Sequence, residues 1–361
     1  MQRNPVPSQS ISNLWEKLTN SSLLKGSLLL LLASLSLSFQ NVVVRIIFSE
    51  QTILGKFSVG GFISPGIGNS LLILFMRVFF IVLFTTSAVG PLLHRAVLRD
   101  LIKLLTPSNR ALLWKVLGSG LLLFLSQIAM YFSLSSISAG VATTIFFIYP
   151  TVTILLAWLF FGNRPTFILG LAVITIYAGC VLVIPSAEGV EQSSTFLGVF
   201  AAALAGTAFA AYAVLAQMCA QKHRSHPVSF TLATFIEILI LNALSLGAIT
   251  FIPQLTELMP ALSIQVSPEM WVFLWQSTFL LSLTSIAGFL LTNFGIALIG
   301  AAHASIVGAT GPVLTTAIAW LLIQETLQGR HQLIGIFLVT LWVTAISTGS
   351  LNTGTSVEES A

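Results

Sequence analysis

Charge is what this sequence has least of. Only 7% of its 361 residues are Asp, Glu, Lys or Arg, against about 25% in an ordinary globular domain. A water-soluble chain of this length must cover its surface with polar side chains, and 15 Lys plus Arg with 11 Asp plus Glu cannot do that. Disorder is excluded by the same figures. It needs low hydrophobicity and high net charge, whereas 56% of the residues are hydrophobic and the mean hydropathy is +0.97. Cysteine is nearly absent: Cys180 and Cys219 stand far apart in apolar surroundings, which leaves no disulfide framework and no metal-ligand spacing. Catalytic signatures are missing too. No Gly-x-x-x-x-Gly-Lys-Ser/Thr loop exists to cradle ATP, and no His-Glu-x-x-His, Gly-x-Ser-x-Gly or Cys/His cluster appears. The expectation is therefore a non-enzyme without cofactor or metal. The net charge of +4 sits beside no nucleic-acid motif, so nucleic acid is not an expected partner.

What the sequence has is long apolar runs. A spanning helix needs about 20 mostly apolar residues, and ten segments qualify: Gly26–Ile47, Asn69–Gly90, Leu112–Ser133, Ser138–Phe161, Thr166–Ile184, Phe196–Met218, Val228–Phe251, Trp271–Leu291, Ala301–Ile323 and Leu333–Thr348. The fold class expected is an all-α integral membrane protein. The first twenty-two residues are mostly polar and no small-x-small site follows the run from Leu28, so that run reads as a retained span rather than a cleaved signal.

Lys and Arg give the orientation. With the N-terminus in the cytoplasm, the inside segments hold Arg3, Lys17, Lys25, Arg95, Arg99, Lys103, Arg110, Lys115, Arg164, Lys222 and Arg224, while the outer loops hold only Lys56 and Arg330. That bias follows the positive-inside rule and implies a plasma or inner membrane protein with both termini cytoplasmic. In the longest inner loop, Arg95, Arg99 and Lys103 recur every four residues while Leu93, Val97, Leu101 and Leu104 take another face. That spacing fits a short amphipathic helix on the inner leaflet or a solvated basic connector. The outer loop from Ser49 to Pro65 carries no legible role.

The chain repeats itself. A shift of 162 residues superposes Phe132, Ala139, Ala142, Pro150, Thr153, Ala157, Trp158 and Leu159 on Phe294, Ala301, Ala304, Pro312, Thr315, Ala319, Trp320 and Leu321. Five spans per half is an odd number, so the halves enter the membrane in opposite directions, the inverted-repeat plan of secondary transporters. The expected units are a cytoplasmic segment 1–25, a first repeat 26–184, a second repeat 196–348 and a short tail 349–361.

These residues resemble the drug/metabolite transporter superfamily, specifically its EamA-like branch of ten-helix carriers with two EamA repeats. The second repeat runs from Ala301-Ala302 through Pro312 and Trp320 to Gln324-Glu325-Thr326-Leu327. The first runs from Ala139-Gly140 through Pro150 and Trp158 to Gly162-Asn163-Arg164-Pro165, with Asn163 where the family commonly has Glu, and Arg77 with Val78-Phe79 partly matches the opening of the second helix. The resemblance implies a carrier of small metabolites or drugs that often works as an exporter, with the lipid bilayer and a small-molecule substrate as partners. A monomer and a homodimer both fit. An intramembrane enzyme and a non-transporting scaffold or sensor are the competing readings.

Charges inside spans point to the pathway, because each costs roughly 2.5–3.5 kcal/mol at a helix centre and so faces a bundle interior or a wet cavity. Arg77 and Glu237 lie in corresponding second helices, one basic and one acidic. Glu237 reads as a proton-coupling carboxyl and Arg77 as an anion-binding fork, or the two pair with each other. Ser34, Ser38, Asn41 and Arg45 share one face of the first helix, and Gln127, Tyr131, Asn293 and Thr315 add polar groups to the same expected interior. Pro150 and Pro312 each remove an N–H and displace the carbonyl four residues earlier, on Phe146 and Gly308. With Gly311 they mark a kink or hinge. Glu325 reads as a helix cap or a backbone N–H acceptor.

Overall fold

The computed structural model describes residues 22–162, 174–175, 178–179, 182, 192–308, 310–325, 329–338 and 340–341. The chain builds helix after helix because its apolar runs leave backbone groups no partner but each other. The principal helices are α1 (Ser22–Phe48), α2 (Ile67–Phe84), α3 (Val97–Leu104), α4 (Arg110–Ser136), α5 (Ala139–Phe146), α6 (Tyr149–Phe161), α7 (Gln192–Gln217), α8 (Pro227–Phe251), α9 (Trp271–Gly308) and α10 (Gly311–Ile323). Among the described residues, seven helical segments are long and apolar enough to cross a bilayer, with α10 a shorter apolar helix beside them. The expected span Thr166–Ile184 lies almost wholly outside the described residues, as does the end of Leu333–Thr348.

Two expected spans are broken, and a third runs on into its neighbour. The segment expected at Ser138–Phe161 breaks at Phe147 (ψ 15), and Pro150 then sits in the first turn of α6, where its missing N–H costs nothing. At the other end, the span expected to stop at Leu291 continues to Gly300. There the backbone turns sharply (φ 79, ψ 162) and the helix resumes at Ala301. That φ/ψ pair belongs to a region open essentially to glycine alone. The resumed helix breaks again before α10, whose first turn carries Pro312.

The 162-residue repeat seen in side chains is repeated in the backbone. Ala139–Phe146 and Ala301–Gly308 each precede a break, α6 and α10 each have 13 residues, and each ends on a left-handed residue, Gly162 (φ 79) and Gln324 (φ 53).

Helices from the two matched halves pack on each other: α1 along α9, α2 along α8, and α4 along α7. Glycines bring α1 and α9 close, with Gly288 under Leu37 and Gly295 under Leu30, the small-residue packing expected where no hydrophobic drive separates helix from lipid. Leu28, Leu244, Trp320 and Phe337 face outward, as a lipid-contacting surface requires. The outer loop forms a two-stranded antiparallel hairpin, β1 (Gln51–Ile53) with β2 (Phe57–Val59). Its turn places Leu54 and Gly55 at positive φ, the twist-matching hairpin geometry, and Leu54 N–H bonds Leu322 O at 2.8 Å. The hairpin therefore rests on the end of α10.

Gly300→Ala is expected to destabilise the protein by about 1–3 kcal/mol, because alanine cannot hold that backbone without strain. Gly247, in α8 with open space where a Cβ would go, is the control, and Gly247→Ala should leave the apparent melting temperature in detergent unchanged or slightly raised.

Candidate functional site

A cavity of about 100 Å³ lies among α1, α4, α5, α7, α9 and α10, at the level of both helix breaks. Its wall alternates short polar groups with aromatic rings. Ser34, Ser38 and Asn41 from α1, Gln127 from α4 and Thr315 from α10 face Phe146, Phe147, Tyr149 and Phe209. Among the described residues, no Asp, Glu, Lys, Arg or His lines it. The rings hold one another: Tyr149 meets Phe209 edge-on at 5.1 Å and Phe147 at 5.0 Å between centroids.

The breaks themselves are stitched across the cavity. Tyr149 donates its hydroxyl to Ser305 O at 3.1 Å, and Ser38 Oγ donates to Gly311 O at 3.2 Å. A Cβ on Gly308 would overlap the Tyr149 hydroxyl, and one on Gly311 would overlap the Phe147 ring. Both glycines are needed for this close approach. Thr315 is fully buried and its Oγ1 has no hydrogen-bond partner, so its hydroxyl is free for a ligand.

Arg77 stands behind the wall rather than in it. Its side chain is fully buried, with Nη2 donating to Gln127 Oε1 at 3.1 Å, Nη1 to Ser285 Oγ at 3.4 Å, and the Tyr131 ring 5.2 Å from the guanidinium carbon. Ser285 Oγ in turn donates to Gln40 Oε1 at 2.5 Å. Both glutamines line the cavity. Because their oxygens are taken, their amide N–H groups are the donors left over. Arg77 therefore orients wall residues without touching the space. Tyr131 is likewise buried behind the wall with its hydroxyl unpartnered.

Glu237 lies elsewhere. It is half-buried in α8 with its carboxylate against Gly120 of α4, and Oε2 has no hydrogen-bond partner. The alternative that Arg77 and Glu237 pair is not what the structure has. Among the described residues, the Arg or Lys ion pair is Arg45 Nε with Glu325 Oε1 at 3.1 Å. Asn293 is also outside the wall, joining α9 to its neighbours by accepting from the Tyr212 hydroxyl and donating to Thr231 Oγ1, each at 2.8 Å.

The two repeated helix starts are capped by side chains. Glu325 Oε2 accepts the Ala139 N–H at 3.0 Å, and Gln217 Oε1 accepts the Ala301 N–H at 2.9 Å. Arg45 completes the first cap, donating Nη1 to Leu134 O at 3.1 Å. Arg45 is thus spent on this cap and does not line the cavity. Sequence reasoning missed Gln217 and the aromatic wall. The Phe146-Phe147-x-Tyr149 run directly before Pro150 was the available signal.

The chain matches the EamA-like transporter family over residues 24–184 and 196–348. It is 38% identical over 324 residues to an uncharacterized transporter of Synechocystis sp., covering 90% of this chain and 93% of that protein. A solved crystal structure superposes with a TM-score of 0.54 at 18% identity, covering 91% of this chain and 97% of the other. At that identity the likeness shows the fold alone.

Ser38→Ala should cost about 1 kcal/mol of stability by removing a buried hydrogen bond. Thr315→Val, which deletes a hydroxyl with no partner, should cost nothing measurable. Melting in detergent, followed by tryptophan fluorescence, checks the pair.

Proposed function

The chain belongs to the EamA-like transporter family, and from that premise we propose a secondary carrier that moves a small uncharged molecule through the central cavity by alternating access. The observation that carries this reading is the cavity itself, walled by broken helices from both matched halves. Broken backbone at membrane depth is tolerated where it lines a cavity, and carriers place their substrates at such breaks.

The substrate class follows from the wall. A lining without charged side chains offers no counter-ion, so a net charge would enter at high cost. Aromatic faces and the spare amide donors of Gln40 and Gln127 suit a flat or partly apolar molecule with a carbonyl or hydroxyl. At about 100 Å³ the space is smaller than the roughly 300–1,000 Å³ of an ordinary ligand pocket, so in this reading it widens to load.

The outer end is closed by Arg45, Glu325, Leu134 and Ala139 together, and opening outward requires these contacts to part. Gly308, Gly311, Pro150 and Pro312 serve as the flexing points. The full architecture in this reading is ten spans in two inverted five-helix repeats, 26–184 and 196–348, with both termini cytoplasmic in the plasma or inner membrane and export as the working direction. Glu237, ionisable and without a partner on Oε2, is the proton-coupling group, and it sits apart from the substrate.

Purified protein in liposomes, screened against a panel of uncharged metabolites by solute exchange, tests this. Saturable exchange of at least one compound is expected, falling about tenfold or more in Gln127→Ala, in line with the loss of a buried hydrogen-bonded contact. Glu237→Gln should keep exchange yet lose uptake driven by a pH gradient. No saturable flux across the panel, or wild-type exchange in Gln127→Ala, contradicts the assignment.

A further inference from the structure

A second cavity, of about 480 Å³, shares no lining residue with the central one. Its wall is formed by α3, the start of α4, and the 223–226 segment that leads into α8. Lys103, Asn109, His223, Arg224 and His226 are on that wall, and Asp100 is its single acid.

The acid is already committed. Asp100 Oδ2 bonds His94 Nε2 at 2.7 Å and accepts from Ser229 Oγ at 3.0 Å. Those two hydrogen bonds, with the charges of His94 and Lys103, outweigh the cost of burial and hold its carboxyl below the usual range. It is engaged by His94 and Ser229 rather than open to a ligand. The His94 ring lies flat on His226, 3.9 Å between centroids, and Lys115 Nζ donates to His223 Nε2 at 2.6 Å. Burial, together with these cationic neighbours, holds His223 and His226 below the usual histidine range.

Two cations are left over. Lys103 and Arg224 are exposed, and neither forms an ion pair among the described residues. Arg224 also sits in left-handed backbone (φ 52), which is unfavourable for a side-chain-bearing residue and marks positions held for a purpose. Beside the cavity, Val97 of α3 is buried while Leu98, Ile102 and Leu105 stay exposed, a face suited to acyl chains.

We propose that this cavity binds a phosphate group, held by the guanidinium fork of Arg224 and the ammonium of Lys103. Arg matches phosphate oxygens two at a time and Lys adds a point charge. The group arrives either as the headgroup of an anionic lipid from the adjoining leaflet or on a soluble phosphorylated compound. Neither source is the transported molecule, because the central cavity has no cation on its wall.

The test uses the full chain in phosphatidylcholine nanodiscs, alone, with added phosphatidylglycerol, or with added inorganic phosphate. Native mass spectrometry reads lipid retention and thermal unfolding reads phosphate binding. Arg95, just before α3, and Arg99, within it, lie off the cavity wall, so R95Q/R99Q removes equal charge and serves as the control. Phosphatidylglycerol retention lost about tenfold or more in K103Q/R224Q, and kept in the control, establishes the site with a lipid source. Stabilisation by inorganic phosphate with the same variant pattern establishes it with a soluble source. Equal loss in both double variants, or neither probe bound by the wild type, overturns the proposal. K103Q alone, which removes one exposed charge, should give an intermediate loss, and an unchanged value there also counts against the site.

Discussion

Every buried backbone N–H and C=O must find a partner inside this protein, because hydrocarbon offers none. An unbroken helix meets that demand by itself. Two broken ones do not, and much of the polar chemistry in the interior exists to repair them. Glu325 and Gln217 cap the two repeated helix starts at Ala139 and Ala301. Tyr149 and Ser38 satisfy the carbonyls of Ser305 and Gly311. These repairs run from one matched half to the other in three of the four cases. The same hydrogen bonds that make the breaks tolerable therefore tie the halves together, and a carrier's motion has to exchange them for others.

The two caps differ. Gln217 is neutral, while Glu325 is an ion whose charge is matched by Arg45. Both caps are partly buried, so the difference between them lies in charge rather than in exposure. The β1–β2 hairpin, hydrogen-bonded to Leu322, rests on the same end of α10 that carries Glu325. Arg77 works differently. With no acid beside it, its charge is spread over Gln127, Ser285 and the Tyr131 face, so a costly buried cation serves to fix the amides that present themselves to the cavity.

How much of this was legible in the sequence depends on what each signal measures. Hydropathy reads how apolar a segment is, and it marked the membrane segments that the helices described here occupy. The 162-residue match and the two prolines marked the breaks, because a proline's effect on its helix is local. The first-helix stripe divides in the structure. Ser34, Ser38 and Asn41 line the cavity, but Arg45, one turn further along, has passed its end. Pairings were not legible. Arg45 meets Glu325 across 280 positions, and His94 stacks on His226 between two loops, so no local pattern encodes either. Gly300 was missed because a glycine in an apolar run looks like any other until its φ is known.

In the carrier proposed above, the Arg45–Glu325 pair shuts one end of the cavity that Thr315 lines. Thiol accessibility tests it without knowing the substrate. In a background with Cys180 and Cys219 replaced by serine, Thr315→Cys in proteoliposomes should react slowly with a membrane-impermeant maleimide applied to either side. Adding Glu325→Gln should accelerate labelling from one side only. Equal labelling rates with and without Glu325→Gln would contradict the account, because the ion pair would then not be what closes the cavity.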